Sequence, residues 1–357
     1  MTRAKRLITA TGLMDNEAII VYKIPNLFYL TGFRGEGIAL LSQKQQAIVT
    51  DFRYVEQAEK ESPDFSIVSI EKGQSHEQAA ALLAQAWQVD SIRYEDDGMT
   101  VRDFAAAQKA FGNARWTPLH EDIELLRQIK DDREIALIKE ACRITGESFE
   151  RILPMIREGV SEREIAIKLE FDMLTHGAES IAFSTIVAAG ANGSLPHARP
   201  GEYRIRRGDL VTLDFGAKVG GYCADMTRTV SVGEPSDQMR HVYETVKAAQ
   251  QMAQDAVRAG GDQRAIDAIA RDYIAAAGYE GRFGHGLGHS LGIEIHENPR
   301  LNAVANGKLR TGQLITVEPG IYLPGVGGVR IENSVVVLED GCQALTLPTR
   351  ELIILPA

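Results

Sequence analysis

Up to about residue 118 the chain alternates short β-branched runs with segments of helical period. Residues 18–22, 47–51, 65–70 and 91–94 read as strands, because Val, Ile and Tyr cluster there between turn-forming residues. Helices are predicted near 53–61, 75–88 and 101–111. This rhythm is that of a small α/β domain. Beyond it the pattern changes: a helical stretch runs from about 125 to 156, and Ser161-Glu-Arg-Glu164 is a capping box that opens a helix ending near His176-Gly177. Further helices are predicted at 237–258 and 262–277, with strands between and after them. The boundary falls near 119–125, giving a smaller domain over 1–122 and a larger one over 123–357, α+β in class.

The larger domain writes one strand-like phrase twice with an acid at the same place. Gly208-Asp-Leu-Val-Thr-Leu-Asp214-Phe-Gly216 returns 104 residues later as Gly312-Gln-Leu-Ile-Thr-Val-Glu318-Pro-Gly320. Each copy is followed by a second acid on a returning strand, Asp225 and Glu332. A turn at Val219-Gly220 sets Asp214 directly opposite Asp225; a turn at Gly220-Gly221 makes them diagonal neighbours on the same face. In the second hairpin Glu318 and Glu332 pair about Gly325 if the loop is odd in length. A carboxylate inside Leu-Val-Thr-Leu-Asp is buried as a charge, which costs several kcal/mol unless a cation compensates it. Four such acids from two related hairpins point to a metal site between duplicated halves.

Of only eight histidines, three lie in Gly284-His285-Gly-Leu-Gly-His289-Ser-Leu-Gly-Ile-Glu-Ile-His296. Neutral imidazole suits borderline divalent metals, and the glycines allow close packing around His289. With the phrases Val-Thr-Leu-Asp-Phe-Gly, Asp-Met-Thr-Arg-Thr, His-Gly-Leu-Gly-His, Val-Glu-Pro-Gly and Gly-Val-Arg-Ile-Glu, residues 125–357 resemble the pita-bread (M24) metallopeptidases. That family includes methionine aminopeptidase, aminopeptidase P and prolidase, and residues 1–122 resemble the amino-terminal domain of the last two. The resemblance implies a duplicated half-barrel holding two divalent ions, most simply manganese or cobalt, with zinc or iron as alternatives. Asp225 and Glu332 then bridge both ions, Asp214 chelates one, and His289 with Glu318 completes the other. It further implies that Glu318 carries the proton, that His296 stabilises the tetrahedral intermediate, that His197 contacts substrate, and that His285 and Arg330 belong to the site. Thr227 is a hydrogen-bond partner for Asp225 or for metal-bound water. All five ligand positions are filled, which argues against a binding protein that kept the fold and lost the chemistry.

Gly288-His-Ser290-Leu-Gly292 is a literal G-x-S-x-G, the nucleophile elbow of serine hydrolases, but the preceding segment is a poor strand and no histidine follows His296. Ser290 is therefore expected to pack or to hydrogen-bond its neighbours. No nucleotide-binding fingerprint is present. A net charge of −10 and an isoelectric point near 5.4 disfavour nucleic-acid binding. Cys142, Cys223 and Cys342 are odd in number and widely spaced, which fits a reduced, cytoplasmic setting, and no apolar run is long enough to span a membrane. An amino-terminal domain disfavours methionine removal. Arg300, in His296-Glu-Asn-Pro-Arg300, matches the arginine with which prolidases hold the carboxylate of a terminal proline, so an Xaa-Pro dipeptidase is favoured over an aminopeptidase P acting on longer peptides. The resemblance and the glycine-rich segment 31–37 also suggest a homodimer in which this loop acts as a lid.

Overall fold

In the computed structural model, which describes residues 1–357, the chain divides into two compact units, Met1–Arg127 and Gln128–Ala357. The first is a six-stranded sheet in the order β4-β3-β2-β1-β5-β6. Its strands are β1 (Glu17–Val21), β2 (Ile38–Ser42), β3 (Gln46–Thr50), β4 (Ser66–Ser69), β5 (Ser91–Tyr94) and β6 (Arg115–Pro118). Around it lie α1 (Arg3–Thr11), α2 (Ile24–Thr31), α3 (Val55–Glu61), α4 (His76–Ala86), α5 (Val101–Phe111) and α6 (Asp122–Arg127). Ala18, Ile20, Leu40 and Val49 meet Ala80 and Ala84 in its core. Periodicity did not reveal α1, α2, β2 or β6. The first is announced by Thr2, whose side chain caps Lys5 N–H, and by Gly12 in the left-handed region; the second by Pro25 in its first turn.

The helical stretch foreseen at 125–156 is in fact broken. α6 ends at Arg127, and Asp131 opens a fresh capping box with Glu134 for α7 (Asp132–Ile152). α6 belongs to the first unit, tied there by Lys23–Glu124 at 2.6 Å and by Arg127 donating to Asn26 Oδ1 at 2.7 Å. The compact units consequently part after Arg127, one short helix beyond the sequence boundary at 122.

The second unit is built twice. In its first half α7 and α8 (Glu162–Thr175) share a core with β8 (Ile186–Ala189), β9 (Leu210–Phe215) and β12 (Met226–Val232), through Phe149, Leu169, Val187, Val211, Leu213 and Val230. β20 (Ile354–Leu355) completes that sheet, and β7 (Ser180–Ile181), β10 (Ala217–Val219) and β11 (Tyr222–Cys223) form a small one beside it. In the second half α9 (Asp237–Asp255) and α10 (Gln263–Ile274) pack on β15 (Leu314–Val317), β16 (Gly320–Leu323), β17 (Gly327–Arg330), β18 (Asn333–Leu338) and β19 (Gly341–Ala344), through Val246, Ile266, Ile315, Val317 and Val335. Between the halves runs the hairpin β13 (Gly288–Ser290) and β14 (Glu297–Leu301). α10 passes after Ile274 into a π turn over Ala275–Tyr279, inside which Gly278 at φ +91° breaks the helical path just beyond the expected end at 277.

Strand alternation aims the acids. Val211, Leu213 and Phe215 enter the helix-side core, so Thr212 and Asp214 face the other way. Ile315 and Val317 do the same for Thr316 and Glu318. The two repeated glycines, Gly208 at φ +88° and Gly312 at φ +83°, each turn the chain two residues before its strand begins.

Candidate metal centre

The hairpin registers decide which acids meet. Lys218 pairs with Cys223 and Phe215 with Met226, leaving Gly220-Gly221 as the turn, both at positive φ. Asp225 is therefore diagonal to Asp214, and Thr227 is its direct partner. In the second hairpin Leu323 pairs with Gly327 about a three-residue loop, and Val317 with Asn333. The same register sets Glu318 opposite Glu332.

Asp225, His289 and Glu332 each offer a ligand atom within 4.8 Å of the others. His289 Nε2 lies 3.2 Å from Glu318 Oε1 and 3.6 Å from Asp225 Oδ2, while its Nδ1 sits 3.1 Å from the Ser290 carbonyl. Nδ1 thus donates to the backbone, and Nε2 is turned toward the carboxylates, where it needs either a proton or a metal ion. One oxygen each of Asp214 and Glu332 is buried with no hydrogen-bond partner. Burial, and then the charge of Glu332, push the Asp225 carboxyl well above its ordinary range; burial and then Glu318 do the same to Glu332. Glu318 goes the other way: burial raises it, but the hydrogen bond and charge of His289 bring it down to about 2. His289 is loaded against burial by Glu318 and is pushed up. Packed oxygens without donors, and carboxyl groups whose charged form burial and like charge disfavour, are what a divalent cation relieves, and the donor set fits one.

A single buried guanidinium braces this cluster. Arg330 donates from Nη2 to Asp214 Oδ2 at 2.6 Å, from Nε to Thr227 Oγ1 at 3.1 Å, and from Nη1 to Tyr322 Oη at 2.9 Å and the Pro196 carbonyl at 3.3 Å. Thr227 in turn donates to Glu332 Oε2 at 2.7 Å, so its partner is Glu332 and not Asp225. Tyr322 accepts from Arg330 and therefore donates its proton to His285 Nε2, 2.8 Å away; His285 Nδ1 donates to the Gly286 carbonyl at 2.9 Å. Burial holds His285 neutral by lowering its pKa.

The acids, His289, His285 and Arg330 line one cavity of roughly 260 Å³ together with His197, His296 and Arg300. The His296 ring centre is 4.5 Å from that of His289, and burial followed by the charge of His289 lowers its pKa. Arg300 stands across β13–β14 from His289, exposed at the rim, and makes no hydrogen bond or ion pair within the protein. Sequence reading passed over Tyr322 and the apolar wall of Phe183, Ile186 and Ile295. Tyr322 carried a weak signal, four residues after Glu318 and hence on the same side of an extended chain. A larger open groove of about 1290 Å³ lies in the amino-terminal unit, lined by Ser75, Leu82 and Lys109 among others, but it gathers no acid–histidine cluster.

Ser290 is buried and accepts from Lys130 Nζ at 3.0 Å, and that ammonium also meets Glu297 at 3.1 Å. Its role is packing and hydrogen bonding, with no base at hand to make it a nucleophile.

Two duplicated halves, four acids and a histidine lining one cavity, and an amino-terminal α/β unit define a class. The chain belongs to metallopeptidase family M24, whose model matches residues 136–339, and the creatinase/prolidase N-terminal domain matches residues 3–129. It is a metal-dependent peptidase with the pita-bread fold, and the family implies divalent metal ions at this site. Across 99% of its length it is 41% identical to the uncharacterized peptidase YqhT of Bacillus subtilis (strain 168), covering 100% of that protein. Among solved structures it resembles an Xaa-Pro dipeptidase from Bacillus anthracis, with a TM-score of 0.95, 41% identity and 99% of each chain covered. An X-Pro aminopeptidase from Thermotoga maritima MSB8 is similar at TM-score 0.91 and 36% identity, over 97% of this chain and 100% of that one. No helix is long and apolar enough to cross a membrane.

Proposed function

We propose that the protein is an Xaa-Pro dipeptidase. The observation that carries this reading is Arg300: a cation at the rim of a small cavity, across one strand pair from His289, with no partner of its own in the protein. A guanidinium left unengaged beside a hydrolytic centre suits the free carboxylate of a carboxy-terminal proline. Asp214, Asp225, His289, Glu318 and Glu332 would hold two divalent ions, manganese or cobalt by preference, which would supply polarisation of the scissile carbonyl and activation of water. Glu318, ionised at any working pH, takes the proton of the attacking water and delivers it to the departing proline nitrogen. His296 and His197 face the substrate, and His296, whose pKa is lowered by partial burial and by the charge of His289, donates to oxygen as charge develops there. Neutral His285 fixes Tyr322, and Arg330 fixes Asp214.

The likeness to the Thermotoga maritima aminopeptidase favours a second reading, removal of a residue before proline from longer peptides. Hydrolysis of an Xaa-Pro dipeptide and an Xaa-Pro-Xaa tripeptide by the same metal-loaded preparation separates the two. Faster cleavage of the tripeptide overturns the dipeptidase assignment, and activity that survives a chelator overturns the metal mechanism. We further infer a homodimer, to be tested by sedimentation, and a cytoplasmic setting, which the three free cysteines support.

A further inference from the structure

Glu162 is the first residue of α8 and is 1% exposed, yet no basic side chain pairs with it. Its Oε1 accepts from Ala189 N–H at 2.8 Å and from Asn192 Nδ2 at 3.0 Å, and its Oε2 accepts from Gly201 N–H at 3.1 Å. One carboxylate therefore grips both ends of the segment 189–201. That segment carries Pro196 and His197 to the cavity at its tip. Its middle is pressed against β17: a Cβ on Gly193 meets Gly328 N at 3.0 Å, and one on Gly328 meets Gly193 O at 2.1 Å. The Pro196 carbonyl accepts from Arg330. Backbone contact fixes the loop's height and Arg330 its tip; at its base Ala189 is held in the β8–β9 ladder and the Gly201 carbonyl accepts from Arg163 N–H at 3.1 Å, but Glu162 is the one side chain that ties the two ends to each other.

We propose that Glu162 is a positioning residue that sets His197 against the substrate. The proposal rests on the reading of His197 given above. A buried carboxyl group that accepts from three N–H donors is a strong clamp, because each buried donor left without its acceptor costs its full desolvation. Glu162→Gln keeps the side chain's shape and leaves one acceptor oxygen. That oxygen can satisfy Ala189 and Asn192, but the new amide N–H₂ then faces the Gly201 N–H, and the far end of the loop is loosened, kept only by the bond from Arg163 N–H to the Gly201 carbonyl.

The test is a double-mutant cycle with His197→Ala, read as kcat and KM on an Xaa-Pro dipeptide with the metal-loaded full chain. Glu162→Gln should lower kcat/KM by about 10-fold, chiefly through kcat, but by less than about 2-fold when His197 is already alanine. Manganese stoichiometry and affinity by calorimetry should be unchanged, and amide exchange across 189–201 should quicken. Asn192→Ala, which removes one donor and leaves the two backbone ones, should show the same coupling at smaller size and serves if Glu162→Gln does not fold. An equal fold-loss from Glu162→Gln with and without His197 makes Glu162 merely structural and overturns the proposal alone. If His197→Ala leaves kcat/KM unchanged, the reading of His197 falls, and this proposal with it.

Discussion

Arg300→Ala removes a guanidinium that the fold does not use. It has no hydrogen bond or ion pair in the protein and stands exposed on β14, so the variant should keep its melting temperature within the small range of surface substitutions. Its effect on catalysis follows from the same placement. A fully buried charge pair loses about 2–5 kcal/mol when one partner is truncated, but an exposed guanidinium leaves the substrate carboxylate in reach of water, so the loss is that of charged hydrogen bonds, about 1.5–3 kcal/mol. At about 1.4 kcal/mol per tenfold, kcat/KM on an Xaa-Pro dipeptide should fall by roughly 10- to 150-fold. A tripeptide presents an amide at that position and should lose little. Arg300→Lys, which keeps the charge and loses the planar fork, should lie between wild type and alanine. Initial rates at subsaturating substrate, taken in parallel on the two peptides, give both ratios. Equal losses on dipeptide and tripeptide would refute the reasoning, since Arg300 would then be acting on the metal centre or the fold.

Other outcomes follow from the site. Asp225 and Glu332 are raised in the metal-free fold, so the stability their protons lend is complete below their unfolded pKa of about 4 and is lost as pH rises through the folded values, whereas bound metal needs both ionised; the melting-temperature gap between metal-loaded and chelated protein should widen as pH rises above about 4, and a constant gap would contradict this. Thr227→Val strips the donor from Glu332 and leaves the Arg330 Nε without its acceptor, so metal affinity by calorimetry should weaken by about 10- to 100-fold, with undiminished affinity arguing against that brace. Ser290→Ala should cost about 1 kcal/mol in denaturant unfolding and leave hydrolysis largely intact, because Lys130 keeps Glu297; complete loss of activity would reopen the nucleophilic serine.

Much of the site was legible locally. Strand period and a repeated phrase are short-range signals, and they sufficed to aim Asp214, Glu318 and their hairpin partners to common faces. A glycine pair after Val219 left two registers open, and packing chose the one in which both glycines take the positive φ they tolerate. The helix foreseen across 125–156 failed for a comparable reason. Apolar periodicity continues through residues 128–131, but Asp131 offers its side chain to Glu134 N–H and restarts the helix there.

What the sequence determined by itself is the set of chemical parts: four acids and a histidine in a pattern no apolar core accepts without a cation, and the duplicated strands that carry them. The tertiary structure decided which parts touch. Thr227 and Glu332 are separated by 105 residues, Arg330 and Asp214 by 116, and Lys130 and Ser290 by 160. No turn or period links such positions, because each contact exists only once two separately packed halves have fixed the distance between their strands. Glu162 belongs with them: in sequence it is one more acid in the first turn of a helix, and only the buried loop ends folded against it make it a clamp.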